Sequence, residues 1–94
     1  MPAIAYLEIS LQIPHAQSLK EKRRCIKSLK DKLQSRFNAS VAEIDAMDSW
    51  QHAVFGVVMI ANDKQYLQTQ VSHLENHLLT LSDMVVLNTR MQWL

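Results

Sequence analysis

Polar and apolar residues alternate along the first part of the chain. Between positions 5 and 13 every second residue is apolar, namely Ala5, Leu7, Ile9, Leu11 and Ile13. The residues between them are polar except for Tyr6, and a period of two with one polar face is typical of a half-buried strand. The pattern therefore predicts a first strand that ends at Pro14.

A helical periodicity follows this strand. Ser18 and Glu21 have the spacing of a capping box, in which the serine caps the helix and the glutamate lies in its first turn. Apolar residues then recur at helical spacing, at Leu19, Ile26, Leu29, Leu33 and Phe37. Asn38 suits the C′ position that ends a helix. We therefore predict a helix of about 20 residues, roughly 30 Å long, between Ser18 and Asn38.

Two further strands are predicted in the middle of the chain. Residues 40–47 form one candidate, Asp48 and Ser49 provide a turn, and residues 50–61 form the other. This third strand is apolar on both sides, with Val54, Val58 and Ile60 opposing Phe55, Val57 and Met59. A strand of that kind is expected to be covered on both faces.

The last third of the chain predicts a helix and a strand. Asn62 and Asp63 cap a segment whose apolar residues are four, three, four and three positions apart, at Leu67, Val71, Leu74, Leu78 and Leu81. That spacing gives one apolar helix face that packs on the sheet. Ser82 and Asp83 end the helix, and residues 84–93 form a fourth strand.

The element order is strand, helix, two strands, helix, strand, which is the split βαββαβ pattern of ferredoxin-like folds. Right-handed crossovers place both helices on one face of a four-stranded antiparallel sheet, with the first and third strands central. The predicted fold class is therefore α+β, a ferredoxin-like βαββαβ sandwich of two layers.

Length and composition agree with one domain over residues 1–94. The chain has 94 residues, and no segment has the composition of a linker. Gly56 is the only glycine, which leaves no room for a glycine-rich phosphate-binding loop. Cys25 is the only cysteine, so no internal disulfide forms and a reducing compartment fits. With no signal peptide and no long apolar run, we expect a soluble cytoplasmic protein that does not enter membranes.

Charge is distributed very unevenly along the chain. The net charge is only +1. Residues 20–36, however, hold eight basic and two acidic residues, a net +6, whereas the rest holds two basic and seven acidic residues, a net −5. The molecule is therefore strongly polarised, and the first helix carries most of its positive charge.

The basic residues of this helix fall on one flank. At 100° per residue, five of them lie within about 120° of arc. We call these five the basic stripe: Lys20, Arg23, Arg24, Lys27 and Lys30. The apolar face is centred about 120° away. Only Lys22 lies in line with that face, and we expect its stem to lie there with the amine reaching solvent at the start of the helix.

Two interpretations of the basic stripe are open. Its cations, spread along about 15 Å of helix, suit contacts with nucleic-acid phosphates. Alternatively the stripe is a solvated face that keeps the protein soluble, although a balanced face would alternate its charges and this one does not. Glu21 and Asp31 offset part of the charge by pairing with neighbours such as Lys27. Tyr6 is the only aromatic on the polar face of the first strand, so any RNA contact is expected at the backbone rather than at stacked bases.

Several segments resemble a known family. The matching residues are 18–24 (SLKEKRR), 28–31 (SLKD), 36–38 (RFN), 40–43 (SVAE), Asp48, Trp50, Gln51, Ala53, Gly56 and Val57. They resemble the YlxP-like family of small bacterial proteins. The resemblance implies a ferredoxin-like fold, no defined activity and no catalytic residues. It also implies genes that often lie near those for translation initiation and ribosome maturation factors, which favours work with RNA.

Three acidic residues are a weaker candidate site. Glu43 and Asp45 are expected on the same side of the second strand, about 7 Å apart, with Asp48 in the following turn. They are candidates for binding a divalent metal or acting as an acid and base pair. The alternative is an edge strand whose charges prevent edge pairing, with Asp48 making an Asx turn. We favour the alternative because no other reactive residue accompanies them.

Histidine and cysteine give two further candidates. His73 and His77 have a spacing that can hold zinc, but they lack a third ligand, and position 74 is leucine rather than the glutamate of a His-Glu-x-x-His motif. Cys25 lies in mid-helix beside the core, where an inert packed thiol is the usual state. We therefore predict no catalytic residues, no metal and no cofactor.

Three function classes remain. The favoured hypothesis is a non-enzymatic RNA-binding or ribosome-associated protein that contacts phosphates through the basic stripe. The alternative is a protein-interaction module, a homodimer formed through the sheet that docks an acidic partner through the helix. The two-sided apolar third strand favours such a dimer. A small enzyme using Glu43, Asp45 or Asp48 is the least favoured class, and no small-molecule substrate is expected.

Overall fold

The computed structural model describes residues 1–94 and contains four strands and two helices. In chain order these are β1 (Ala3–Gln12), α1 (Leu19–Arg36), β2 (Ala39–Asp45), β3 (His52–Ala61), α2 (Lys64–Leu78) and β4 (Val85–Trp93). The sheet is antiparallel, with strand order β2-β3-β1-β4. The predicted α+β class, element order and central position of the first and third strands are thereby confirmed.

The core lies between the sheet and the two helices. From β1 it takes the alternating apolar residues that the sequence pattern identified, and from β3 the row Ala53, Phe55, Val57 and Met59. Leu29 and Leu33 of α1 pack on this surface, as do four α2 residues, Leu67, Val71, Leu74 and Leu78. Both helices therefore cover the same face of the sheet, as predicted.

The N-terminal caps of both helices form as the sequence indicates. Ser18 Oγ accepts a hydrogen bond of 3.1 Å from the backbone nitrogen of Glu21. The glutamate side chain completes the cap differently from a standard capping box, because its Oε2 accepts from the Gln17 nitrogen at 2.8 Å. In α2, the Asp63 side chain accepts from the Tyr66 nitrogen at 2.8 Å.

Neither helix is long and apolar enough to cross a membrane.

The C-terminal ends of the helices differ from the prediction. Phe37 ends α1 with an extended backbone, and Asn38 does not have the left-handed conformation expected of a C′ residue. Helix α2 ends at Leu78, one turn earlier than the apolar spacing predicted. The chain then turns through hydrogen bonds from the Leu79 and Thr80 nitrogens to carbonyls of the last helical turn. Leu81 still packs against the core, although it lies outside the helix.

Strand β2 is shorter than predicted. It ends at Asp45 because Ala46 has a φ of 62°, a left-handed conformation that turns the chain away from the sheet. The pairing with β3 is irregular between Glu43 and Asp45. Glu43 pairs with the inward-facing Phe55, so its side chain lies on the helix side of the sheet. The regular alternation of β2 up to Glu43 therefore places a charged group inside the molecule.

The face of the sheet opposite the helices is here called the outer face. Strand β3 contributes Val58 and Ile60 to it, and these side chains are 40% and 51% exposed. Gly56 lies in the same outward row of β3, and an ideal Cβ there would approach Ile44 Cγ2 to 3.2 Å and Tyr6 Cε1 to 3.3 Å. We expected β3 to be covered on both faces, but the helices cover only one, and its outer face is partly open to solvent.

Candidate nucleic-acid interface

The basic stripe is displayed on the solvent side of α1. Four of its five side chains are exposed, those of Lys20, Arg23, Arg24 and Lys27, whereas Lys30 is half-buried. This placement follows from the helix pattern, because the burial of Leu29 and Leu33 against the sheet turns the opposite flank outward. The stripe predicted from the sequence therefore forms, with Lys30 as its least accessible member.

Little of the charge on the stripe is neutralised within the molecule. The chain contains two ion pairs with nitrogen–oxygen distances within 4.0 Å, and one of them, Lys27 Nζ to Asp31 Oδ2 at 3.1 Å, involves the stripe. Both side chains of this pair are largely exposed, so the contact is weak and screened. Lys20, Arg23 and Arg24 have no carboxylate partner. The predicted pairing of Lys27 is confirmed, and three exposed cations remain free.

Lys22 does not reach solvent, contrary to the sequence prediction. Its side chain is 1% exposed, and its Nζ donates a hydrogen bond of 2.6 Å to the carbonyl oxygen of Ala46. The same nitrogen lies 3.1 Å from Glu43 Oε2. The prediction was wrong because the turn after β2 supplies an acceptor at Ala46 and β2 itself supplies a counter-charge at Glu43, both inside the molecule.

The acidic candidate site does not assemble. Glu43 is turned inward to Lys22, and its Oε2 accepts no well-aligned hydrogen bond in spite of the short ion-pair distance. Asp45 Oδ1 instead accepts from the Ala46 nitrogen at 2.7 Å. Asp48 is exposed in the turn, and the side chain that bonds to the turn backbone is that of Asp45. The expectation that Glu43 and Asp45 share one side of the strand was wrong because the pairing with β3 is irregular between them.

The two histidines of α2 lie at its C-terminal end, beside the end of α1. His77 Nδ1 is 3.3 Å from Arg36 Nη1, whereas Nε2 is buried without a hydrogen-bond partner. Burial lowers the pKa of His77, and the positive charges of Arg36 and Lys32 lower it further. His73 and His77 both line an open cleft of about 380 Å³. No three histidine, cysteine, aspartate or glutamate side chains are arranged to hold a metal ion.

Cys25 is half-buried on α1 and lines a cleft together with Arg24 of the basic stripe. Burial raises the pKa of its thiol, the carboxylates of Asp83 and Glu21 raise it further, and Arg24 lowers it. A thiol with a raised pKa is mostly protonated at neutral pH and is a poor nucleophile. These surroundings agree with the interpretation of Cys25 as a packing residue.

The outer face offers no platform for stacked bases. Tyr6 is its only aromatic on β1, and its hydroxyl donates a hydrogen bond of 3.2 Å to Glu8 Oε2. Burial raises the pKa of Tyr6, and the hydrogen bond and charge of Glu8 raise it further while Arg90 lowers it. On β3 the residue paired with Tyr6 is Val58. The paired outward positions of β1 and β3 therefore do not form an aromatic row.

These features define a class of protein: a small split βαββαβ domain that carries one exposed cationic helix. The chain belongs to the family described as "Protein of unknown function (DUF503)", whose model matches residues 4–91. It is similar to the uncharacterized protein YlxP of Bacillus subtilis (strain 168), with 28% identity over 90 residues that cover 96% of this chain and 98% of the relative. The YlxP-like resemblance seen in the sequence is thereby confirmed.

The same fold occurs in a solved structure of a designed protein. The de novo designed protein Foldit4 covers 98% of this chain and 97% of its own, with a TM-score of 0.55 and 16% identity. At this level of identity the likeness concerns the fold alone. A fold does not define a function by itself, so function has to be argued from the surface.

Proposed function

We propose that this protein binds the phosphate backbone of structured RNA, free or on the ribosome, through the basic stripe and without catalysing a reaction. The observation that carries the proposal is the presence of four exposed cations on one flank of α1, of which only Lys27 has a carboxylate partner. A phosphate that replaces the counterions of such a row releases them, which favours binding.

The position of the stripe on a helix supports backbone contact rather than base reading. Along α1, Lys20 and Lys27 are about 10 Å apart, and all stripe residues project from one rigid element. Phosphate contacts of this kind orient a protein on RNA but carry no sequence information. The proposal therefore predicts strong salt dependence and little preference among sequences of the same shape.

The non-enzymatic part of the proposal is supported by the surroundings of the reactive side chains. Glu43 is paired with Lys22, and the Asp45 carboxylate bonds to the backbone. The Cys25 thiol has a raised pKa. His77 and these residues lie in separate parts of the molecule and do not converge on a common pocket. A cytoplasmic location is part of the proposal because RNA and a lone reduced cysteine both fit there.

The test measures binding to an RNA hairpin by fluorescence anisotropy at several salt concentrations. With about four phosphate contacts, the affinity of the wild type is expected to fall about 10²-fold between 50 and 200 mM salt. The variant K20E/R23E should bind about tenfold or more weakly, with a smaller salt slope. The variant K32E/R36E changes the net charge of the same helix equally but lies outside the stripe, and it should retain most of the binding.

Two outcomes would overturn the proposal. One is binding that K20E/R23E does not weaken more than K32E/R36E, or that is independent of salt. The other is a protein partner with an acidic surface that is retained stoichiometrically after nuclease treatment and is lost on the K20E/R23E change. That result would establish the protein-interaction alternative in place of RNA binding.

A further inference from the structure

The outer face of the sheet has an apolar half and a polar half. The apolar half lies on β2, β3 and the start of β1, and its exposed or half-buried side chains are Ile4, Ile44, Val54, Val58 and Ile60. Ile44 and Tyr6 lie close over Gly56, where no side chain separates them. The glycine therefore keeps this half flat. A flat, partly apolar sheet face is suited to packing against another sheet.

The polar half lies along β1 and β4 and contains one acidic and one basic side chain. In the outward rows of β1, β3 and β4, Glu8 is the only carboxylate and Arg90 the only lysine or arginine. They face each other directly across the β1–β4 pair. They nevertheless form no ion pair within 4.0 Å. Tyr6 donates to one Glu8 oxygen, and no hydrogen bond is made to the other.

We propose that the outer face is an interface for a second copy of this chain, in which Glu8 of each copy pairs with Arg90 of the other. A two-fold axis brings the same patch of both copies together, so a contact from Glu8 to Arg90 occurs twice. The rows of β1, β3 and β4 bear one charge of each sign beside an apolar area, and on β2 the outward Asp45 adds a second carboxylate at the edge of the face. A second copy complements it, whereas a polyanion gains nothing from it.

The size of the face sets the strength of this dimer. Four strands of seven to ten residues give a flat area of roughly 600 Å². Specific interfaces of ordinary size bury about 800 Å² on each partner. The dimer is therefore at the small end of stable interfaces, and its population depends on protein concentration. The helices lie on the opposite face of the sheet, so dimerisation leaves the basic stripe of both copies accessible.

The test uses charge reversal and sedimentation velocity at rising protein concentration in low salt. In a dimer of E8R, each of the two contacts brings Arg90 of one copy against the arginine introduced at position 8 of the other. In a dimer of R90E, each contact brings Glu8 of one copy against the glutamate introduced at position 90 of the other. Each variant alone should therefore dimerise about tenfold or more weakly than the wild type. An equimolar mixture of the two variants allows pairing between unlike copies, in which the two arginines of one copy face the two glutamates of the other. The mixture should dimerise at least as well as the wild type.

The mixture separates the interface from effects within one chain. Each variant also places like charges on neighbouring strands, which lowers the stability of the fold. A loss of stability cannot produce association on mixing, so recovery in the mixture supports the proposal. A mixture no more associated than E8R or R90E alone, or a wild type that stays monomeric at all concentrations, would overturn it. Neither outcome bears on RNA binding, because both substitutions lie outside the basic stripe.

Discussion

The ammonium nitrogen of Lys22 lies 3.1 Å from Glu43 Oε2, although the lysine is 1% exposed. The same nitrogen donates to the carbonyl oxygen of Ala46. These contacts join the first turn of α1 to the end of β2 and the turn that follows it. Both charged groups have lost most of their hydration, so the attraction between them mainly offsets the cost of that loss.

Removal of the Lys22 charge alone is expected to be strongly destabilising. In Lys22→Met the apolar stem is retained, but Glu43 is left without its counter-charge inside the molecule. The free energy of unfolding should fall by about 3–5 kcal/mol, measured by urea denaturation followed by circular dichroism. Lys20→Met provides the control, because Lys20 is exposed and its replacement should change stability by less than about 0.5 kcal/mol.

Replacement of both members of the pair separates charge from packing. The variant Lys22→Met/Glu43→Leu removes the buried ammonium and carboxylate together, so no unpaired charge remains. It should recover most of the stability lost in Lys22→Met, since exchanging a buried ion pair for apolar residues is often close to neutral. A double variant as unstable as the single one would show that the lysine acts through its bond to Ala46 and not through Glu43.

The left-handed backbone at Ala46 is expected to cost stability. A residue with a Cβ at this φ of 62° is disfavoured by roughly 1–2 kcal/mol relative to glycine, part of which the greater freedom of unfolded glycine offsets. Ala46→Gly should therefore stabilise the fold by about 0.5–1 kcal/mol in the same urea assay. In the exposed strand position Ala42, the same change should be destabilising, because glycine weakens a strand interior.

The titration of His77 should couple folding to pH. Its pKa in the folded state lies below that of an unfolded histidine, about 6.5, because of burial and the charges of Arg36 and Lys32. The unfolded state therefore binds more protons between the two pKa values. The contribution of His77 to the free energy of unfolding is therefore fully present above pH 6.5. It is lost as the pH falls toward the pKa that His77 has in the folded state.

NMR titration of the His77 ring measures this effect directly. Arg36→Gln removes one of the two positive charges that lower the pKa, so the His77 pKa should rise. Lys27→Gln removes a charge that does not act on the histidine and should leave the titration unchanged. A His77 pKa at or above that of an unfolded histidine in the wild type would contradict the burial of this ring.

The order of elements and the core could be predicted because each depends on local pattern. The alternation in β1 and the capping serine at Ser18 act within a few residues, and both formed as expected. The ends of β2 and α2 were less predictable. The end of β2 depends on a left-handed residue that is alanine rather than glycine. The end of α2 depends on a turn that keeps Leu81 packed against the core although it lies outside the helix.

The candidate interface was predictable in outline because helix geometry alone gives the direction of its side chains. The helical wheel placed the basic stripe about 120° from the apolar face and singled out Lys22 as the one cation in line with that face. The acceptor and counter-charge of this lysine were not predictable, since Ala46 and Glu43 are more than twenty residues away in the chain. Glu43 reaches the start of α1 because it faces inward in β2 as Val41 does, and Ala46 reaches it in the turn that follows the strand.

The inward lysine also determines how the molecule opens locally. Backbone amides exchange with solvent through partial unfolding, and segments tied by a buried contact exchange as one unit. The bonds of Lys22 make the first turn of α1 and the turn after β2 such a unit. Their amides should therefore share one protection level against deuterium exchange, which would fall for both segments in Lys22→Met while the centre of β1 stays protected.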